Sequence, residues 1–367
     1  MNSRMENQYT PDEVSPPGET LLEVLESRQM SQAELADRTG RPRKTINEIV
    51  RGKSQITAET AIQFERVLGI PASFWIAREQ NYRESIARAK EVSALEGEVE
   101  WLRQIPYRSL VKLGWVRDHA NKSSQVEELL RFFAVASTTS WRDIWAGAAP
   151  AFRKSPSFES EPGAVAAWLR RGEILASEQA CARFDEEGFR SALGQIRALS
   201  RDMRPDLPLT VRNLCNAVGV AIAFVPEVSG TRLWGASRWL TPNCALIQLS
   251  LRYKTEDHFW FTFFHEAAHI LLHPRRDIFL DEEGQEQAVQ EAEADEFSRN
   301  WLIPDFQYKQ FCRRGSFTCA AAERFAYEVG ISAGVVIGRL QRENLTNRKF
   351  CNDLKRDVSW IFTEDRK

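Results

Sequence analysis

The stretch His265-Glu266-Ala267-Ala268-His269 decides how the C-terminal half of this 367-residue chain is read. Residues i and i+4 share one helix face, so His265 and His269 present two imidazoles one turn apart. Such a pair holds a single metal ion, and the glutamate beside the first, Glu266, reaches a water on that ion. The run Phe259-Trp260-Phe261-Thr262-Phe263-Phe264 precedes the motif and Ile270-Leu271-Leu272 follows it. Polar side chains in so apolar a helix are costly unless satisfied. Taken alone, the five-residue pattern also suits two ordinary core histidines.

A catalytic site of this type needs three protein ligands and a water. Downstream, Gln290-Glu291-Ala292-Glu293-Ala294-Asp295-Glu296-Phe297 has helical spacing that runs on through Trp301-Leu302-Ile303 to Pro304. Glu291 and Asp295, four apart, share a face. Glu291 can complete the metal shell, with Asp295 placed to accept from the free ring nitrogen of a ligating histidine, while the plainer reading of these acids is a solvated helix face. Glu293 points to another face and is the weaker candidate. Glu282, Glu283 and Glu286 read as a polar loop between the two helices.

From about Arg252 to Pro304 the chain resembles the ImmA/IrrE family of bacterial metallopeptidases. The resemblance rests on Phe261-Thr-Phe-Phe-His-Glu-Ala-Ala-His-Ile-Leu-Leu-His273, on Glu291, Ala294, Asp295 and Phe297, and on Leu302-Ile303-Pro304. It implies His265, His269 and Glu291 as metal ligands and Glu266 as general base. The family often carries asparagine where Asp295 stands, and aspartate keeps the supporting role. His273 also matches a common family histidine. In a straight helix it lies roughly 12 Å of rise beyond His265, too far to share a metal, and it is expected to cap the helix end before Pro274. Two imidazoles and a carboxylate suit Zn2+ best, with Mn2+ or Fe2+ as alternatives. For the donor that stabilises the oxyanion, His258, Tyr253, Arg252 and Arg339 stay open.

Three strands are expected before the metal helix: Val218 to Pro226, Gly230 to Leu240 and Cys244 to Ser250. A small antiparallel sheet packed on that helix is the economical arrangement, with a substrate backbone adding to one edge.

Residues 18–70 read as a set of short helices. Ser31 with Glu34 forms a capping box, the helix Gln32–Arg38 ends near Gly40, and Arg43–Lys53 forms the next. Two short helices joined by a glycine turn match the helix-turn-helix plan. Ile46, Ile49 and Val50 are expected to face the core. Arg41, Arg43, Lys44, Thr45 and Asn47 are expected at the exposed start of the second helix, where base edges are read, while Arg51 and Lys53 suit phosphates. The segment Ser31–Ala36 with Thr45–Ile49 is similar to Cro/C1-type domains. Ile56–Ala61 and Leu68–Trp75 are similar to the HigA-type antitoxin subgroup. That resemblance implies binding of palindromic double-stranded operators by a homodimer.

The net charge of −2 gives no global basic field, so any DNA affinity is local to the basic cluster at 41–53. No run of about 18 apolar residues predicts a membrane span. Six scattered cysteines without a Cys-x-x-Cys pair support neither a zinc knuckle nor a disulfide scaffold, and cytoplasmic residence is the default.

The expected fold is mainly α with a small α+β part. Residues 1–17 form a flexible tail, 18–76 an all-α helix-turn-helix domain, and 77–104 a linker helix with an apolar stripe from Tyr82 to Leu102. Residues 105–208 form a helical region of unassigned role, interrupted around Pro150, Pro156 and Pro162. A zincin-like metallopeptidase domain with a small C-terminal helical unit occupies 209–345, and 346–367 form a tail. The expected function is a DNA-binding transcriptional regulator fused to a metal-dependent endopeptidase that cleaves a repressor or antitoxin-type protein. The alternative is a non-proteolytic transcription factor, or a HigA-like antitoxin, with a structural or sensory metal site.

Overall fold

Ser31 and Gly40 bracket the first half of the helix-turn-helix. The Ser31 hydroxyl accepts from the Glu34 N–H at 3.1 Å, and Gly40, at φ 66°, ends the helix in the left-handed region. In the computed structural model, which describes residues 14–146, 161–231, 233–250, 252, 254–274, 286–315 and 317–361, these helices belong to a compact unit spanning Met1–Gly97. Its helices are α1 (Pro17–Ser27), α2 (Gln32–Thr39), α3 (Arg43–Val50), α4 (Ala58–Leu68) and α5 (Ala72–Glu96). Leu21, Leu35, Ile46, Ile49, Phe64 and Trp75 form the core, with Val50 partly buried against it. Residues 1–13 of the expected tail lie outside the described residues, while the Ser15 carbonyl and hydroxyl accept from Arg78.

Helix α5 starts before residue 77 and ends at Glu96, and a 3-10 turn covers Val99–Gln104. The expected apolar stripe is not packed along its length. Ile86 and Val92 are exposed and Leu95 is buried.

The second unit spans Glu98–Lys367. Short helices α6 (Tyr107–Lys112), α7 (Lys122–Phe133) and α8 (Thr138–Trp141) follow, and Trp101 of the 3-10 turn, Phe133 of α7 and Trp141 of α8 form one aromatic cluster. Then come α9 (Pro162–Ser177), α10 (Glu186–Leu199) and α11 (Leu207–Asn216). Pro162 opens α9 at its first turn, where a missing N–H costs nothing. Pro150 and Pro156 lie outside the described residues.

The sheet is mixed, not antiparallel. Strands β1 (Val220–Phe224), β2 (Gly235–Thr241) and β3 (Cys244–Leu249) lie in the order β1-β3-β2. A tight turn at Pro242–Asn243 pairs β2 with β3 antiparallel, so β1 takes the other edge of β3 and runs parallel to it. Side chains alternate across the sheet. Val220, Ile222, Phe224, Ala245, Ile247 and Leu249 join the core that holds the aromatic run of α12 (Glu256–Leu272). The opposite face is covered by α9. Gln248 donates to the Trp168 carbonyl at 2.6 Å, and buried Arg238 bridges to Glu173 at 2.9 Å. Part of the region without a sequence-assigned role therefore supports the sheet on which α12 packs.

Helix α12 packs against α13 (Glu286–Leu302), and contacts at 261–298, 265–295 and 269–291 show the two run antiparallel. The Glu282–Glu283 part of the expected loop lies outside the described residues. After Pro304 follow α14 (Asp305–Arg313), α15 (Cys319–Val329) and α16 (Ala333–Arg342). Two expectations change here. Residues from 346 onward are not a loose tail as far as Ile361: Val358 donates to the Lys254 carbonyl at 2.8 Å, Glu256 to the Arg356 carbonyl at 3.0 Å, and Lys355 meets Asp257 at 2.6 Å. Val358 and Ile361 are fully buried. One cysteine pair, Cys319–Cys351, is joined as a disulfide with Cα atoms 5.8 Å apart, a pairing that 32 residues of separation hid. Among the described residues no helix is long and apolar enough to cross a membrane.

Candidate metal centre and nucleic-acid interface

Three candidate donor side chains converge between α12 and α13. His265 Nε2 lies 3.1 Å from Glu291 Oε2 and 3.1 Å from His269 Nε2, and His269 Nε2 lies 3.5 Å from Glu291 Oε1. Ligands about 2.0–2.1 Å from a tetrahedral ion sit roughly 3.3 Å from one another. Two imidazoles and a carboxylate suit zinc chemically, the closest contacts bracket that spacing through the two Glu291 oxygens, and among the described residues this is the one His/Cys/Asp/Glu group close enough to hold an ion. His265 and His269 are well buried, while the Glu291 side chain is 55% exposed, which leaves that side of the cluster open.

The charges around the donors favour a cation. Burial pulls the His265 ring down, but its hydrogen bonds to Asp295 and Glu291 outweigh that and carry it up to about 10. Burial, then the charge of His265, pushes His269 down to about 3, because two imidazoles this close do not both hold a proton. Burial alone would raise Glu291 and Asp295, yet the His265 contact holds both carboxyls below their usual range.

Glu266 is buried on the sheet side of the helix. Burial pushes its carboxyl up to about 7, against the pull of His265 and a hydrogen bond with Ser237. Gly235 explains how β2 comes so near. A Cβ there would lie 2.7 Å from Glu266 Oε1 and 2.8 Å from Thr262 Cγ2, so only glycine leaves room for the carboxylate. Neither Gly235 nor Ser237 carries a sequence signal for this role, since the strand register decides it.

Behind the donors, His265 Nδ1 lies 3.0 Å from Asp295 Oδ1, and Arg342 reaches Asp295 Oδ2 at 3.3 Å while its guanidinium covers the Phe261 ring at 3.8 Å. His273 does end α12, its N–H donating to the His269 carbonyl. Its ring, however, turns back: His273 Nδ1 is 2.9 Å from His269 Nδ1, and Nε2 is 3.2 Å from Glu293 Oε2. Glu293 is thus not a metal donor but the partner of His273.

Of the residues considered for the oxyanion, Arg339 is committed elsewhere. It donates to the Arg299 and Ile303 carbonyls at the end of α13 and lies over the Tyr308 ring. Arg252 faces Glu227 at 3.7 Å, His258 is half-buried outside the donor group, and Tyr253 lies outside the described residues.

In the N-terminal unit the basic residues divide. Arg43, Lys44, Arg51 and Lys53 are exposed. Arg43 contacts Asp37 at 3.3 Å and Lys44 contacts Glu48 at 3.8 Å, exposed pairs of the kind that contribute little to stability. Thr45 and Asn47, expected to be exposed, are half-buried, because they pack toward the preceding helix, with Asn47 donating to Gln32 at 3.5 Å. Arg41 is not freely exposed as expected. Its Nε donates to Gln63 at 2.6 Å, which turns it toward α4.

Residues 21–75 match the family model for the helix-turn-helix, and residues 240–341 match that for the IrrE N-terminal-like domain of the M78 peptidases. No curated protein matches the chain. Among solved structures, the antitoxin HigA of Pseudomonas aeruginosa with its higBA promoter is 32% identical, over 23% of this chain and 95% of that one, at a TM-score of 0.22. An addiction module antidote protein of the HigA family from Coxiella burnetii is 29% identical, over 23% and 94%, also at 0.22. A putative antidote protein of a plasmid maintenance system from Nostoc punctiforme is 25% identical, over 23% and 91%, again at 0.22. The chain carries an N-terminal helix-turn-helix domain of the Cro/C1 type and, in its C-terminal half, an IrrE N-terminal-like domain of the M78 peptidase family.

Proposed function

We propose that this chain is a DNA-binding regulator fused to a zinc-type metallo-endopeptidase, and that it cleaves a repressor or antitoxin-type protein in the cytoplasm as a regulatory switch. The observation that carries the peptidase half is the convergence of His265, His269 and Glu291 within ligand range of one another, with a buried carboxylate, Glu266, next to the first of them. His265, His269 and Glu291 would hold a divalent ion, which would supply Lewis acidity to a water and to the scissile carbonyl. Glu266 is placed to take a proton from the attacking water and to return it to the leaving amine. Asp295 holds His265 in the ligating tautomer. The outer strand β2 reaches Glu266 through Gly235 and Ser237, so a substrate backbone added to that edge lies alongside the base.

In this reading Arg43, Lys44, Thr45 and Asn47 face base edges from the start of the second helix of the motif, with Arg41 beside it, and Arg51 and Lys53 bind phosphates. A homodimer on a palindromic operator is the arrangement this module implies. The reader brings the peptidase to its operator, where the repressor substrate is also bound. Purified protein tested for metal content and for cleavage of the repressor encoded beside it tests the reading. A stoichiometric ion with cleavage supports it, and a bound ion without cleavage of any candidate protein favours a non-proteolytic regulator.

A further inference from the structure

His273 and Glu293 belong to no ligand set, yet they extend the site. We propose that Glu293 and His273 form a directed hydrogen-bond relay that fixes the tautomer of His269, so that both metal histidines are set by a carboxylate, one directly and one through a second imidazole. The inference rests on the metal-site reading above and adds two positioning residues to it.

The direction of the relay follows from donor chemistry. An ionised carboxylate only accepts. Glu293 Oε2, 3.2 Å from His273 Nε2, therefore requires the hydrogen of neutral His273 to sit on Nε2. His273 Nδ1 is then a lone pair, and at 2.9 Å from His269 Nδ1 it accepts from an Nδ1–H there. A neutral His269 with its hydrogen on Nδ1 carries its lone pair on Nε2, the atom that points at His265 Nε2 and Glu291. The opposite direction fails at both ends. It sets a lone pair of His273 against the carboxylate, and it places a hydrogen on the donor atom of His269.

Geometry makes the relay specific. The His273 side chain is 2% exposed, and its ring centroid is 4.9 Å from that of His269, so the contact is enclosed. Helix α12 ends at Leu272 and His273 has extended backbone, which lets its ring fold back over the last turn. His265 is served at the same range, 3.0 Å, by Asp295 without an intermediary. Glu293 side-chain exposure of 54% puts the carboxylate end of the relay in contact with solvent.

Two measurements test the proposal. Nitrogen-15 NMR of the imidazoles in the full-length protein reports tautomers directly, and hydrogens on His273 Nε2 and His269 Nδ1 are expected. The reverse tautomer on His269 overturns the proposal. Zinc affinity, read by chelator competition, tests its consequence. His273→Phe keeps an aromatic ring but removes the acceptor, and is expected to lose about 10- to 100-fold in affinity. His273→Asn returns an oxygen acceptor near the Nδ1 position and is expected to recover most of that loss. Glu293→Ala is expected to weaken binding in the wild-type background but not in His273→Asn, where no relay remains. Equal affinity of His273→Phe and wild type, or an identical Glu293→Ala effect in both backgrounds, overturns the inference. A wild-type chain that binds no zinc overturns the metal-site reading itself. Should His273→Phe fail to fold, the NMR result and the Asn and Ala variants decide.

Discussion

His265 Nδ1 and Asp295 Oδ1 are 3.0 Å apart, and Arg342 holds the other Asp295 oxygen. A carboxylate so placed orients the imidazole and raises its basicity toward a metal. Asp295→Ala is expected to cut zinc affinity by about 10- to 100-fold, and Asp295→Asn, which keeps an acceptor, by less. Chelator competition reads both, and an Asp295→Ala chain with unchanged affinity refutes the role.

Gly235 gives a separate test of the base. A Cβ at position 235 would lie under 3 Å from the Glu266 carboxylate and from Thr262 Cγ2, so the carboxylate is displaced and β2 and α12 have to shift slightly apart. The variant is expected to fold with a lowered melting temperature and to keep zinc. Its cleavage rate should fall by about 100-fold, the scale of an ångström-sized misplacement of a reacting group. A rate loss matched by loss of zinc points instead to a general disturbance of the site.

Glu256 sets a pH dependence of stability. It is fully buried at the start of α12, where burial pushes its carboxyl up to about 7 against Arg356 and Ser332, with Asp257, itself paired to Lys355, adding to the rise. Below about 4.5 the group is protonated both folded and unfolded. Between about 4.5 and 7 the unfolded chain releases the proton first, so this residue's contribution to stability falls as pH rises and stays low above 7. Glu256→Gln removes that dependence. The variant's melting temperature is expected to gain several degrees on wild type from pH 5 to pH 8. A constant difference across that range shows that Glu256 ionises normally in the fold.

Much of this was legible in the chain. The i, i+4 spacing of His265 with His269 and of Glu291 with Asp295 placed four side chains on two helix faces, and the structure brings those faces together. The Ser31–Glu34 box and Gly40 marked the N-terminal turn. What stayed hidden depends on distance in sequence. The parallel pairing of β1 with β3 is invisible in strand propensity, because alternation does not encode neighbours. The same holds for the approach of Gly235 to Glu266 and for the return of residues 354–358 to α12. Arg339 and Arg342 look alike in sequence. One closes the end of α13 and the other holds Asp295.

For the DNA-binding half, Arg43→Ala with Lys44→Ala removes two exposed charges without touching the core of the N-terminal unit. Binding to a specific operator is expected to weaken, and the slope of log affinity against log salt to fall by about two. Unchanged genomic occupancy and salt slope in the double variant would remove this helix as the reader.

The most direct test of the central claim is a paired assay of wild type and Glu266→Gln for bound metal and for cleavage of the candidate repressor. A general base acts on the reaction and not on the ligand shell. Both proteins are therefore expected to hold one ion per chain, with cleavage in the variant reduced by about 100- to 10,000-fold. A Glu266→Gln chain that loses its metal, or that cleaves at the wild-type rate, contradicts the account.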